Sequence, residues 1–278
     1  MSTKLKIAAA VAAAVLLSAC SSPKHEPMPL VKFTPSMEVT EVWSKGLSSA
    51  EGFLVPAVYD DMVFAAGGKT LTRLNARTGE TEWSVSFNSP ITGGVGSDGY
   101  VTAVGLWDGN LEVVDAEGKV SWEKKLTTEL ASPPVVSHGL VIARTMDTRV
   151  SAFEASSGEL QWTYQRSQPA LTVRLPTRML AHDNFLLVGQ PNGHIVILDI
   201  ASGKPMFEFQ VAQAKGVTEV ERLVDVVGAP AFSDNLVCAA AFQGAVTCVD
   251  STNGQTRWTQ KIDAVAGPAI DEDNVDAV

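Results

Sequence analysis

Beyond residue 53 the chain is written in short apolar runs cut by small polar turns. One stretch shows the grammar: Pro134-Val135-Val136, a turn at Ser137-His138-Gly139, then Leu140-Val141-Ile142-Ala143. Two apolar runs joined by so short a turn read as a β-hairpin. Tight turns follow such pairs at Asp108-Gly109, Asn192-Gly193 and Gln243-Gly244. Asn-Gly and Asp-Gly suit primed hairpin turns, in which glycine accepts positive φ. A third run comes next, as in His194-Ile195-Val196-Ile197-Leu198, and then a turn containing Asp or Asn. A fourth run opens on an aromatic residue, as in Trp162-Thr163-Tyr164. No long stretch keeps a helical period, and β-branched residues with turn pairs dominate, so the pattern predicts an all-β chain of short antiparallel strands.

The four-strand unit recurs. Residues 74–83 (LNARTGETEW), 114–122 (VDAEGKVSW), 153–162 (FEASSGELQW), 198–207 (LDIASGKPMF) and 249–258 (VDSTNGQTRW) align. In each, a glycine stands four residues before an aromatic: Gly79 and Trp83, Gly118 and Trp122, Gly158 and Trp162, Gly203 and Phe207, Gly254 and Trp258. The aromatics are spaced by 39, 40, 45 and 51 residues, and Trp43 lies a further 40 upstream of Trp83. Four short strands in about 40 residues make one blade of a β-propeller. The aromatic then has a packing role in the apolar layer between successive blades. Five full blades span about residues 52–262, and Gly267-Pro268-Ala269-Ile270 opens part of a sixth, by comparison with Gly228-Ala229-Pro230-Ala231-Phe232. Val278 falls inside what would be the second strand of that unit, so the C-terminus reads as an interruption.

The N-terminus carries a different signal. Lys4 and Lys6 precede an apolar run from Ile7 to Leu17. That run is too short for a bilayer core, which needs about 20 helical residues, and instead describes a secretory leader. It ends Leu17-Ser18-Ala19-Cys20, which resembles a bacterial lipobox: residues 1–19 are the leader, and Cys20 becomes the acylated, palmitate-bearing first residue of the mature chain. More than one acyl chain anchors stably. Ser21, rather than Asp, resembles an outer-membrane sorting signal. Four prolines between residues 21 and 38 make 20–38 an extended tether, and 39–278 the propeller domain.

Composition removes several functions. The net charge is −10, and removing Lys4 and Lys6 with the leader leaves 19 basic against 31 acidic residues, net −12, which argues against a nucleic-acid partner. The four histidines have no partner at metal-ligand or triad spacing, and no phosphate-binding or dinucleotide glycine motif is present. Asp60-Asp61 and Asp271-Glu272-Asp273 read as turn acids. No catalytic residue, metal site or cofactor is expected. Cys238 and Cys248 flank the Gln243-Gly244 turn nearly opposite one another. Both a cross-strand disulfide, in keeping with an oxidising compartment, and two small buried thiols are open readings; the strain of direct cross-strand bridging favours the thiols.

The lipobox followed by blades marked Asp-x-x-Thr-Gly-x-x-x-Trp resembles the BamB family of lipoproteins of the outer-membrane β-barrel assembly machinery, over essentially the whole chain. The resemblance implies an eight-bladed propeller in which the N-terminal strand, here around Trp43, completes the last blade. Eight units need about 320 residues at this period, so a C-terminally truncated member is expected. It also implies a non-enzymatic scaffold on the periplasmic face of the outer membrane that aids folding and insertion of barrel-protein clients. Two connections are long, 166–174 and 213–226, and long loops on one rim of a rigid scaffold are where binding concentrates. In the family, matching loops hold the central barrel subunit through its periplasmic POTRA domains. The family pattern Ala-Leu-x-Leu-Arg falls on Ala170-Leu171-Thr172-Val173-Arg174, with Val173 for a leucine. The pattern Asp-Val-Asp falls on Asp225-Val226-Val227, lacking its second acid. The expected contact is Leu171, Val173, Arg174 and Asp225; the alternative is that Leu171 and Val173 merely cover a blade junction, with Arg174 paired to Asp225 or Glu221. Two other functions are weighed: a periplasmic propeller for another envelope protein or glycan, and a relative of the pyrroloquinoline-quinone dehydrogenases. The latter use similar blades around a calcium ion, an aspartate base and adjacent cysteines; no Cys-Cys pair occurs here.

Overall fold

The computed structural model describes residues 38–49, 54–167, 169, 171–173, 175–271 and 274–277. The leader, Cys20, the tether up to residue 37 and Arg174 lie outside the described residues. The strands all belong to the unit Val42–Val278. They form five four-stranded sheets, each in simple sequence order and antiparallel throughout. Blade 1 holds β1–β4 (Ala57–Tyr59, Met62–Gly67, Thr70–Asn75, Thr81–Ser86) and blade 2 holds β5–β8 (Ile91–Ser97, Thr102–Leu106, Asn110–Val114, Val120–Lys125). Blade 3 is β9–β12 (Val135–Ser137, Leu140–Arg144, Val150–Glu154, Leu160–Tyr164) and blade 4 is β13–β16 (Leu180–His182, Phe185–Gln190, His194–Asp199, Pro205–Gln210). Blade 5 is β17–β20 (Val226–Ser233, Leu236–Ala241, Gly244–Asp250, Thr256–Ile262), followed by the pair β21 and β22 (Ala269–Ile270, Val275–Asp276). The fold is the expected β-propeller architecture.

The middle strands of each blade read as nearly continuous apolar runs because both their faces are covered. In β10, Ile142 faces a cluster with Leu186 and Val196 of blade 4, while its neighbour Val141 faces Leu111 and Val113 of blade 2. Successive side chains of a strand point to opposite faces, so each blade supplies apolar surface to two neighbours. The same arrangement joins Phe64 to Val104, Leu187 to Val237, and Val246 to Val275. The fourth strands are mostly exposed.

The glycine and aromatic markers meet across the blade boundary rather than within a blade. Trp43 covers Gly79, Trp83 covers Gly118, Trp122 covers Gly158, Trp162 covers Gly203, and Phe207 covers Gly254. A Cβ at Gly118 would fall 2.7 Å from the Trp83 ring, and its φ of 81° already favours glycine. Four indole N–H groups donate to a carbonyl of the following turn: Trp43 to Ala76, Trp83 to Ala116, Trp122 to Ala155 and Trp162 to Ile200, at 2.8–2.9 Å. The turn is shaped by its first polar residue. The Asn75 carbonyl accepts the N–H of Gly79 while its side chain accepts those of Arg77 and Thr78. Asp115, Asp199 and Asp250 repeat the device.

Three details differ from the sequence expectation. Residues 38–49 form no strand, so no completing strand is seen around Trp43; the indole nevertheless sits over Gly79 as if donated by a preceding blade. Of the three expected tight turns, only Asn192-Gly193 has positive φ at both residues (65° and 72°). At Asp108-Gly109 only the glycine does, and at Gln243-Gly244 it is the glutamine. Cys238 and Cys248 occupy directly paired positions of β18 and β19, wholly buried, with their sulfurs joined in a disulfide.

Blade 2 contains one uneasy carboxyl pair. Glu112 of β7 is buried directly opposite Glu123 of β8. Burial, and then Glu123, push the Glu112 carboxyl from 4.5 up to about 7. Between those values the folded chain holds a proton that the unfolded chain has released, so stability falls as pH rises through that window.

Two outcomes are expected. Trp122→Phe, which replaces the indole by a smaller ring without an N–H, lowers unfolding stability by at least the roughly 0.5–1.5 kcal/mol of the lost hydrogen bond, and Phe207→Trp raises it by a similar amount, read from urea midpoints. Glu112→Gln leaves unfolding stability unchanged near pH 4.5 and raises it at pH 8 by about 1 kcal/mol after allowance for solvent screening, read from urea midpoints at the two pH values.

Candidate functional site

The connections from β12 to β13 and from β16 to β17 each run from the fourth strand of one blade to the first strand of the next. They therefore emerge on the rim that also carries the turns between second and third strands. Exposed apolar side chains stand on this rim: Leu171, Val217, Val220 and Trp107. Sequence reasoning placed Leu171 there and passed over the other three.

Asp225 knots the rim together. One carboxylate oxygen accepts the N–H of Val173 at 2.6 Å and the other that of Asn192 at 3.3 Å, so one buried side chain ties the two long loops to the β14–β15 turn. Burial raises its carboxyl above the ordinary value; the two N–H groups and the charge of Arg144 act against that rise. The first loop also pairs with β17, through Gly228 N–H to Pro176 at 2.8 Å and Arg178 N–H to Gly228 at 2.9 Å. Glu221 serves its own loop by accepting the N–H groups of Val217 and Thr218, which hold its carboxyl below the usual range. The structure thus brings Val173 and Asp225 together and presents Leu171 outward; Arg174 lies outside the described residues.

Beside Asp225 is a cavity of about 210 Å³, opening on the same rim and lined in part by Thr92, Ser132, Arg144, Thr177, Gln190 and Asp225. Arg144 is the residue the sequence reading missed. It closes β10, is only 5% exposed, and donates through Nη1 to Thr177 Oγ1 at 2.7 Å. Burial pushes its guanidinium down to about 10, against the pull of Asp225. Strand register makes it anomalous. Ile142 occupies the position of Phe64, Ala103, Leu187 and Cys238, each opposite the residue that faces a blade's aromatic. Two residues on, the other blades have Ala66, Gly105, Gly189 and Ala240. An added Cβ at Gly105 or Gly189 would meet Leu130 or Val226 at 2.4 or 2.7 Å. In blade 3 a guanidinium stands at this position. The signal was present, as a charge ending an apolar run where every other blade is small.

The histidines serve the fold where they have partners: His182 packs against Phe232 with tilted rings, their centroids 3.7 Å apart, and His138 bonds Ser137. Among the described residues, no three His, Cys, Asp or Glu side chains gather to hold a metal.

Residues 67–278 match the family model described as outer membrane protein assembly factor BamB. The assembly factor BamB of Burkholderia pseudomallei is 37% identical over 270 residues, covering 95% of this chain and 71% of that protein. Its counterpart in Bordetella pertussis is 34% identical, covering 92% and 68%. Among solved structures, BamB from Moraxella catarrhalis superposes with a TM-score of 0.73 at 28% identity, covering 80% of this chain and 68% of that one. The quinohemoprotein alcohol dehydrogenase of Comamonas testosteroni gives 0.60 at 18% identity, a likeness of fold alone, covering 78% and 43%. With the repeat, the sheet order and these matches in agreement, the chain belongs to the BamB family of outer membrane protein assembly factors.

Proposed function

We propose that this protein is a non-enzymatic scaffold of the outer-membrane protein assembly complex, anchored by acylated Cys20 on the periplasmic face of the outer membrane. Its rim loops hold the central barrel subunit through the POTRA domains and so aid folding and insertion of barrel-protein clients. The observation that carries this reading is the Val173–Asp225 hydrogen bond. It fixes two long loops against each other on one rim and leaves Leu171 facing solvent. A small apolar anchor with a polar border, on a frame that does not need ordering at the moment of contact, suits a specific protein interface. Arg174, three residues beyond Leu171, supplies a cationic border in this reading. The family names support the assembly role, and the dehydrogenase likeness is confined to the fold.

Affinity capture from detergent-solubilised envelopes tests the contact. Leu171→Ala/Arg174→Ala is expected to cut recovery of the barrel subunit by about tenfold or more, as loss of a hot spot does, with an unchanged thermal midpoint; undiminished recovery overturns the reading. Adding the quinone and calcium is expected to produce no dye-linked oxidation of alcohols or sugars, and turnover above a heat-killed control would reinstate the enzymatic alternative.

A further inference from the structure

The rim cavity contains more unpaired hydrogen-bonding capacity than a scaffold interior normally tolerates. Among the described residues, Arg144 Nε, Gln190 Nε2, Ser132 Oγ and Thr92 Oγ1 are buried atoms without a hydrogen-bond partner, and all four residues line this one cavity. Arg144, Gln190 and Ser132 are each at least nine-tenths buried. Buried polar side chains in folded proteins are overwhelmingly paired, so such a gathering needs a reason. The nearest acid does not provide one. Asp225 makes no ion pair with Arg144 within bridging distance among the described residues, and both its oxygens are engaged by backbone N–H groups. With Nη1 held by Thr177, Arg144 keeps its Nε without an acceptor among the described residues, on the edge that grips a carboxylate side-on. A guanidinium buried without an acceptor on that edge is costly, and an incoming anion relieves the cost.

We propose that this cavity is a binding site for a carboxylate group, received on the Nε edge of Arg144 with the Gln190 amide and the Ser132 hydroxyl as further donors. A volume of about 210 Å³ admits one short acidic side chain or one small free carboxylate. The mouth opens on the rim assigned above to docking, and the source chosen here is an aspartate or glutamate side chain of the docked protein. That choice of source rests on the docking reading, whereas the carboxylate site itself does not.

The experiment has two arms. In the first, the full chain in detergent is unfolded thermally with sodium acetate, with sodium chloride at equal ionic strength, and with acetamide as the neutral isostere. Acetate is expected to raise the midpoint saturably, because a ligand bound only by the folded state stabilises it; chloride and acetamide are expected to leave it unmoved. Ser132→Ala, a mild change, is expected to weaken half-saturation by roughly five- to tenfold. Gln190→Glu, which installs a carboxylate in the cavity, is expected to abolish the acetate response. An acetate effect no greater than that of chloride or acetamide overturns the site, as does a full response in both variants. In the second arm, Gln190→Glu is carried through the envelope capture. Loss of the barrel subunit with Leu171 intact supports a partner side chain as the source. Retained capture with a lost acetate response overturns that source and supports a free carboxylate. Capture already indifferent to Leu171→Ala/Arg174→Ala would sink the docking reading while leaving the acetate result standing.

Discussion

One contact repeats through this molecule and sets the rest: a flat aromatic ring laid on a bare glycine of the next blade. Propeller blades have no covalent frame beyond the chain itself, so their relative orientation must come from packing between apolar faces. Those faces, such as the seam between Val141 and Leu111, are adaptable on their own. The ring on glycine is not, because the backbone at Gly118 or Gly158 approaches so closely that any other residue would collide with the indole. The indole N–H then fixes the rotation of one blade on another through a single carbonyl. Close packing supplies the attraction, and the hydrogen bond supplies the angle.

This arrangement explains why the fold was legible in the sequence. A fixed offset between glycine and an aromatic residue recurs in all five units because each of these glycines is capped by a ring from the segment before it, and the turn acid before it is constrained by the backbone N–H groups it caps. The pairing across blades was not legible, since a spacing of four within the unit looks like a local motif. The candidate contact was legible only in part. Leu171 and Asp225 could be placed by resemblance, but nothing in the linear chain shows that Asp225 turns inward to hold Val173 and Asn192. Arg144 escaped notice because its oddity appears only when strand registers are superposed.

The rim therefore has two layers with different duties. The inner layer, Asp225 with the Pro176–Gly228 pairing, makes the loops part of the framework. The outer layer, Leu171 with Val217 and Val220, is free to meet something else. Loops that are already ordered lose little conformational freedom on meeting a partner, so a small apolar anchor suffices for a specific interface.

Phe207 changes one seam of the ring. It covers Gly254 as the tryptophans cover theirs, yet it has no N–H to give. The angle between blades 4 and 5 is instead keyed away from the ring, by Thr247 Oγ1 donating to the Val211 carbonyl at 2.7 Å and by Asp225 accepting the Asn192 N–H, at the joint crossed by the longer rim loop. Joint and loops thus share one fastening: the carboxylate that holds Val173 on the first loop also ties blade 4 to the start of blade 5, so loss of the Asp225 side chain would loosen the hinge and both loops together.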